Sequence, residues 1–241
     1  MQKMRLMSTA ALLLAASSTA VFAQGRGRGR GRDDHPDTPG RYVSQQEQQR
    51  RIAEEQRRQS DYQRSLDAQV RAAQARTAQI QAQQRATAQL AAQQRYVQEL
   101  QAQQARMRVQ RDLSRDPYVS AVPTYRYRYN GATRETNQYG VDALRGAVNN
   151  GYSVGYQQGQ ADRSDGASSN YKRSFAYQDA NYGYNGSYVS QSEYNYYFRE
   201  GFRRGYSDGY ASRSQYGTYS NGTGSILSNI VTGILGLTSI R

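Results

Sequence analysis

The chain has no cysteine and one histidine. The first absence removes disulfide scaffolds and thiolate chemistry. The second leaves His35, in a Pro/Asp/Gly-rich stretch, with no partner for a metal cluster or a catalytic triad. Aliphatic side chains are thin between the first 25 residues and the last 16, so little of the chain reads as able to bury a core. Tyrosine stands in for them, with 19 of its 22 residues between Tyr118 and Tyr219. Acids are outnumbered by 32 lysines and arginines, and the net charge of +13 favours polyanions: nucleic acid, anionic glycan or a charged membrane face. Asp162, Asp165, Asp179, Glu193, Glu200 and Asp208 are scattered singly. General acid–base work needs two such groups in one pocket. The expectation is therefore a non-enzyme with no cofactor, metal or small-molecule substrate.

What is present divides the chain into segments. Lys3 and Arg5, an apolar run from Ala10 to Phe22, and Val21-Phe22-Ala23 have the order of a secretory signal peptide cleaved after Ala23. A periplasmic or secreted protein is expected. Residues 24–43 begin with Arg26, Arg28, Arg30 and Arg32 alternating with glycine, and read as a disordered basic arm that could bind a polyanion. Ser44-Gln-Gln-Glu47 is a capping-box pattern. No Gly or Pro follows before Pro117, and Gln, Ala and Arg fill 47 of the 72 positions from 44 to 115. One long helix over 44–116 is expected. Its apolar stripe (Leu66, Ala73, Ile80, then Leu90 and Val97, then Leu100 and Met107) changes phase twice. That pattern fits a weak coiled coil that self-associates, or a single exposed helix. Residues 117–136 read as an extended linker, with Tyr125, Tyr127 and Tyr129 on one side and Arg126 and Arg128 on the other. Such a stretch packs its rings on a helix or grips a polyanion.

The segment 137–213 carries the most specific pattern. Gly151, Gly155 and Gly159 recur fifty residues later as Gly201, Gly205 and Gly209. Tyr152, Tyr156, Phe202, Tyr206 and Tyr210 follow five of the six. Spacing by four aligns residues on one helix face. Each helical glycine costs roughly 1 kcal/mol against alanine, so close backbone approach is expected in return. The expected arrangement is a tyrosine–glycine helical bundle with two antiparallel helices, the aromatic ridge of each over the groove of the other. Ser190-Gln-Ser-Glu193 is a second capping box, opening the second helix. Residues 214–224 read as a linker. Residues 225–241 read as an apolar amphipathic helix, able to dock on the long helix, pair with another copy or lie on a membrane surface.

Ala176 to Tyr184, then Tyr194 to Tyr210 with Arg199-Glu-Gly-Phe202-Arg-Arg-Gly-Tyr206, resemble a domain of uncharacterised secreted bacterial proteins, notably from Acidobacteria. The resemblance covers about residues 140–212. It implies a domain boundary and no activity. The sequence therefore points to a mainly α, non-catalytic envelope protein acting as a structural or interaction module, with polyanion binding as the other reading.

Overall fold

The computed structural model describes residues 42–83, 87–109 and 112–240. The expected signal peptide and nearly all of the Arg-Gly arm lie outside them. The arm's last residues are ordered: Tyr42 bridges to Ala121, and the Val43 N–H donates to the Ser120 carbonyl. The elements are α1 (Gln45–Ala82), α2 (Thr87–Met107), α3 (Pro117–Ser120), β1 (Tyr125–Tyr129), β2 (Ala132–Thr136), α4 (Gln138–Ser164) and α5 (Phe175–Asp179). They continue with α6 (Gln191–Ala211), β3 (Gly217–Ser220), β4 (Thr223–Ile226), α7 (Ser228–Leu235) and β5 (Thr238–Ser239). The fold is mainly α, and no described helix is long and apolar enough to cross a membrane.

The single helix expected over 44–116 is two helices folded back on one another. Gln93 donates to the Ala73 carbonyl, and Gln103 donates to the Tyr62 hydroxyl, which fixes an antiparallel hairpin. The first change of phase in the apolar stripe, between Ile80 and Leu90, spans this break; the second, between Val97 and Leu100, lies within α2. No Gly or Pro marks the break; a distant carboxylate does. Asp165, just beyond α4, accepts from the Ala88 and Gln89 N–H groups at 3.1 and 2.8 Å, placing an anion on the free N–H groups that open α2. Tyr62, Leu66, Val70, Ala73, Tyr96, Val97 and Leu100 are buried and belong to the same core as the tyrosine–glycine segment. The hairpin is thus part of the domain.

Two segments expected as linkers are more ordered than that for one reason, although Tyr125–Tyr129 is extended as expected. The linkers at 117–136 and 214–224 both contain β-hairpins turning on Asn-Gly. Asn130 and Gly131 have φ of +49° and +79°, and Asn221 and Gly222 have +49° and +81°. Positive φ at both central residues is the type I′ geometry that matches strand twist, and Asn-Gly adopts it readily. β1 pairs antiparallel with β2 and, at its other edge, with β5. The C-terminal apolar stretch is consequently not one helix. It starts as β4, turns helical only as α7, stops at Gly236 with φ +55°, and ends as β5. Val231 and Leu235 are buried within the protein's own core, on α4, α6 and β1.

Candidate functional site

The six ladder glycines do meet, but along parallel helices. A Cβ built on Gly151, Gly155 or Gly159 would lie 2.0, 2.2 or 2.3 Å from the carbonyl oxygen of Phe198, Phe202 or Tyr206. On Gly201, Gly205 or Gly209 it would lie 2.0, 2.0 or 2.1 Å from that of Val148, Tyr152 or Tyr156. Contacts climb both helices in the same direction, so the antiparallel expectation is wrong. Every oxygen belongs to the residue three before the counterpart glycine, and the pair has near two-fold exchange symmetry about an axis along the helices. Each glycine hydrogen points at a carbonyl, the geometry of Cα–H···O contacts between close helices.

The parallel arrangement is permitted by the connection. Residues 165–190 separate the two helices, and at about 3.3 Å per residue they reach well past the roughly 40 Å length of α4. Short loops force antiparallel neighbours; this one does not. The returning segment is wedged between the bundle and the helical hairpin. Tyr96 packs on Phe175 and Tyr182, and Tyr62 on Tyr184. The buried Gln103 amide donates to the Asn181 and Tyr184 carbonyls and accepts from the Gly183 N–H.

The aromatic ridges do not fill the grooves with their rings, because the backbones occupy that space. The rings line the two outer seams. Phe202, Tyr206 and Tyr210 stack along α6, where Tyr171 and Tyr177 cover them. Tyr152 and Tyr156 follow α4 beneath the β3–β4 hairpin, with Tyr219 stacked on Tyr156 at 4.4 Å. Gly217 and Gly224 of that hairpin admit the Tyr152 ring.

Buried carboxylates tie the elements together. Glu193 closes the α6 capping box with Ser190 and also accepts from the Tyr127 hydroxyl at 2.6 Å and Arg134 at 2.8 Å. Burial alone would raise its pKa, but the bonds from Ser190 and Tyr127 with the Arg134 charge hold it below the usual carboxylate range. Asp208, fully buried, accepts from the Tyr152 hydroxyl and the Tyr216 N–H. Glu55 takes the Tyr188 N–H and pairs with Arg58, and burial raises its pKa. Asp116 accepts from the Tyr118 N–H and the Tyr188 hydroxyl.

The arginines expected to bind a polyanion are separated. Arg26, Arg28, Arg30 and Arg32 lie outside the described residues. Arg126 pairs across the hairpin with Glu135 at 3.0 Å, and the Arg128 stem packs by Gly236. Tyr127 and Tyr129 turn their rings onto Tyr197 and Tyr196 of α6. Sequence reasoning missed the glutamines. Gln93, Gln103 and Gln158 are buried polar side chains within helices; nothing distinguishes the first two from the exposed glutamines of their Gln-rich run, or Gln158 from Gln157 beside it. The chain matches no family model, no curated protein and no solved structure.

Proposed function

We propose that the chain is a non-catalytic, exported cell-envelope protein that acts as an interaction module, its helical hairpin and glycine-paired bundle working as one unit. The observation that carries this reading is the placement of its acids. Glu55, Asp116, Glu193 and Asp208 are the buried carboxylates among the described residues, and each bonds to an element other than its own. Their chemistry is committed to holding the fold. Export rests on the order of basic, apolar and small residues at the N-terminus, and on the resemblance of residues 140–212 to a secreted bacterial domain. Fractionation of the native cell with N-terminal sequencing tests it. A mature chain beginning at Gln24 outside the cytoplasm is expected; an intact Met1 in the cytoplasm would overturn export.

The net charge of +13 favours a second reading, polyanion binding through the Arg-Gly arm. Tyr125–Tyr129 lends it less than expected, since its central rings pack inward. Binding of this kind weakens steeply between about 50 and 200 mM salt, whereas an interface built from apolar and aromatic contacts does not.

A further inference from the structure

The end of α1 through Gln83, the first turns of α2, the C-terminal part of α4 and the segment leading into α5 line a cavity of about 150 Å³. At roughly 30 Å³ per water this is the space of about five waters, or of one six-membered sugar ring. Its wall is more polar than apolar, with Ile80, Ala167 and Phe175 among glutamines, serines and arginines, and several of its polar groups have hydrogen-bonding capacity that the protein leaves unused. The Gln158 side chain is 7% exposed, lines the cavity and makes no hydrogen bond among the described residues. Gln93, 3% exposed, donates to the Ala73 carbonyl, and its own side-chain oxygen accepts nothing from the described residues. The Ser174 hydroxyl oxygen is buried and also unpartnered. Buried polar groups in folded proteins are normally paired; here one buried hydroxyl without a partner, and two glutamine amides with hydrogen-bonding capacity left over, line one cavity and point to a hydrogen-bonding ligand.

The mouth defines that ligand further. Arg76, Arg173 and Phe175 line both this cavity and an adjoining open groove of about 590 Å³ against α1. Two guanidinium groups suit a carboxylate, which arginine binds through paired N–H groups. The Phe175 ring offers an apolar face to C–H surface. Asp162 is the acid of the cavity wall, and it is engaged by the Tyr206 hydroxyl. Planar amides suit the paired hydroxyls of a sugar, since each presents a donor and an acceptor side by side.

We propose that this cavity binds an acidic sugar unit, with the ring among Gln93, Gln158 and Ser174 and the carboxylate at Arg76 and Arg173. The proposal depends on neither reading of the function above. A free uronic acid and the terminal unit of an acidic polysaccharide share this chemistry, and the groove would take the units that follow in the second case.

Titration calorimetry on the full-length chain tests it, with D-glucuronate, an acidic oligosaccharide ending in that unit, D-glucose and acetate as probes. Glucuronate is expected to bind in the range of about 10⁻⁵ to 10⁻³ M. Glucose should bind at least about tenfold more weakly, and acetate should not compete. Arg173→Ala and Gln158→Leu should each weaken glucuronate by about tenfold or more, equivalent to a loss of one bonded pair. The exposed Arg95→Ala should leave it unchanged. Tighter binding of the oligosaccharide assigns the groove to a polymer; equal binding assigns the site to the free sugar. No heat from either acidic sugar at about 10 mM, acetate competing as well as glucuronate, or affinity unaffected by Arg173→Ala would overturn the proposal. Arg173 is at the surface, so its variant remains decisive even where Gln158→Leu fails to fold.

Discussion

Glycine has opposite meanings at two positions of the same helix. At Gly155 an added Cβ would meet the Phe202 carbonyl at 2.2 Å, a backbone atom that a rotamer change leaves in place. At Gly146, also in α4, nothing lies within 4 Å. Gly155→Ala is expected to destabilise by about 1–3 kcal/mol or more, as overpacking does. Gly146→Ala should stabilise by up to about 1 kcal/mol, through helix propensity alone. Denaturant unfolding of both variants measures the signs, and a stabilising Gly155→Ala would refute the close approach.

Glu193 gives a second test at this scale. Its folded pKa lies below the ordinary value of 4.5, so its contribution is full above that value. It is lost as pH falls through the folded pKa. Glu193→Gln keeps a capping-box side chain but loses the charge that Tyr127 and Arg134 bind. The variant should be about 1–3 kcal/mol less stable at neutral pH, and the gap should close in acid. Paired melts across pH read this directly; a gap that widened in acid would have the wrong sign.

Elements are joined here by polar side chains that a helix-propensity argument counts only as good formers. Gln103 belongs to α2, yet its amide holds the loop from Asn181 to Tyr184 through three backbone groups. Gln103→Leu would leave those groups buried without partners, at about 1–3 kcal/mol. Hydrogen exchange at the Gly183 amide should quicken more than exchange in the middle of α4. Equal protection in variant and wild type would make Gln103 a bystander.

The helical hairpin, the returning connection and the glycine pair share one core. A substitution in the α1–α2 hairpin is therefore felt throughout. Leu100 is fully buried, and Leu100→Ala should cost about 2–5 kcal/mol in a single transition seen by both far-UV circular dichroism and tyrosine fluorescence. A residual helical plateau after loss of the tyrosine signal would restore the independent helix. The stripe proposed for self-association is also occupied: Leu66, Ala73 and Val97 face the chain's own core. The full-length chain is expected to sediment as a monomer, and a dimer would imply that the hairpin opens and exchanges between copies.

The residues themselves decided what is local and what is periodic. The α6 capping box and the close approach of six glycines were legible, because cap geometry and four-residue spacing act within one or two helical turns; the inward packing of Tyr127 was one of two readings that its alternating stretch allowed. The two Asn-Gly hairpins are written in the chain as well, but Pro117 and Pro123 before the first and the Gly/Ser-rich flanks of the second give them the look of linkers. Direction was not legible: a four-residue glycine ladder presents the same groove to a parallel or an antiparallel partner. The reach of residues 165–190 permits the parallel pair, and the packing of their tyrosines against the helical hairpin accompanies it. The break between α1 and α2 was equally hidden, since a carboxylate 77 residues away from Ala88 caps the second helix. Contacts of that range carry no sequence period, and they exist only once the chain has folded.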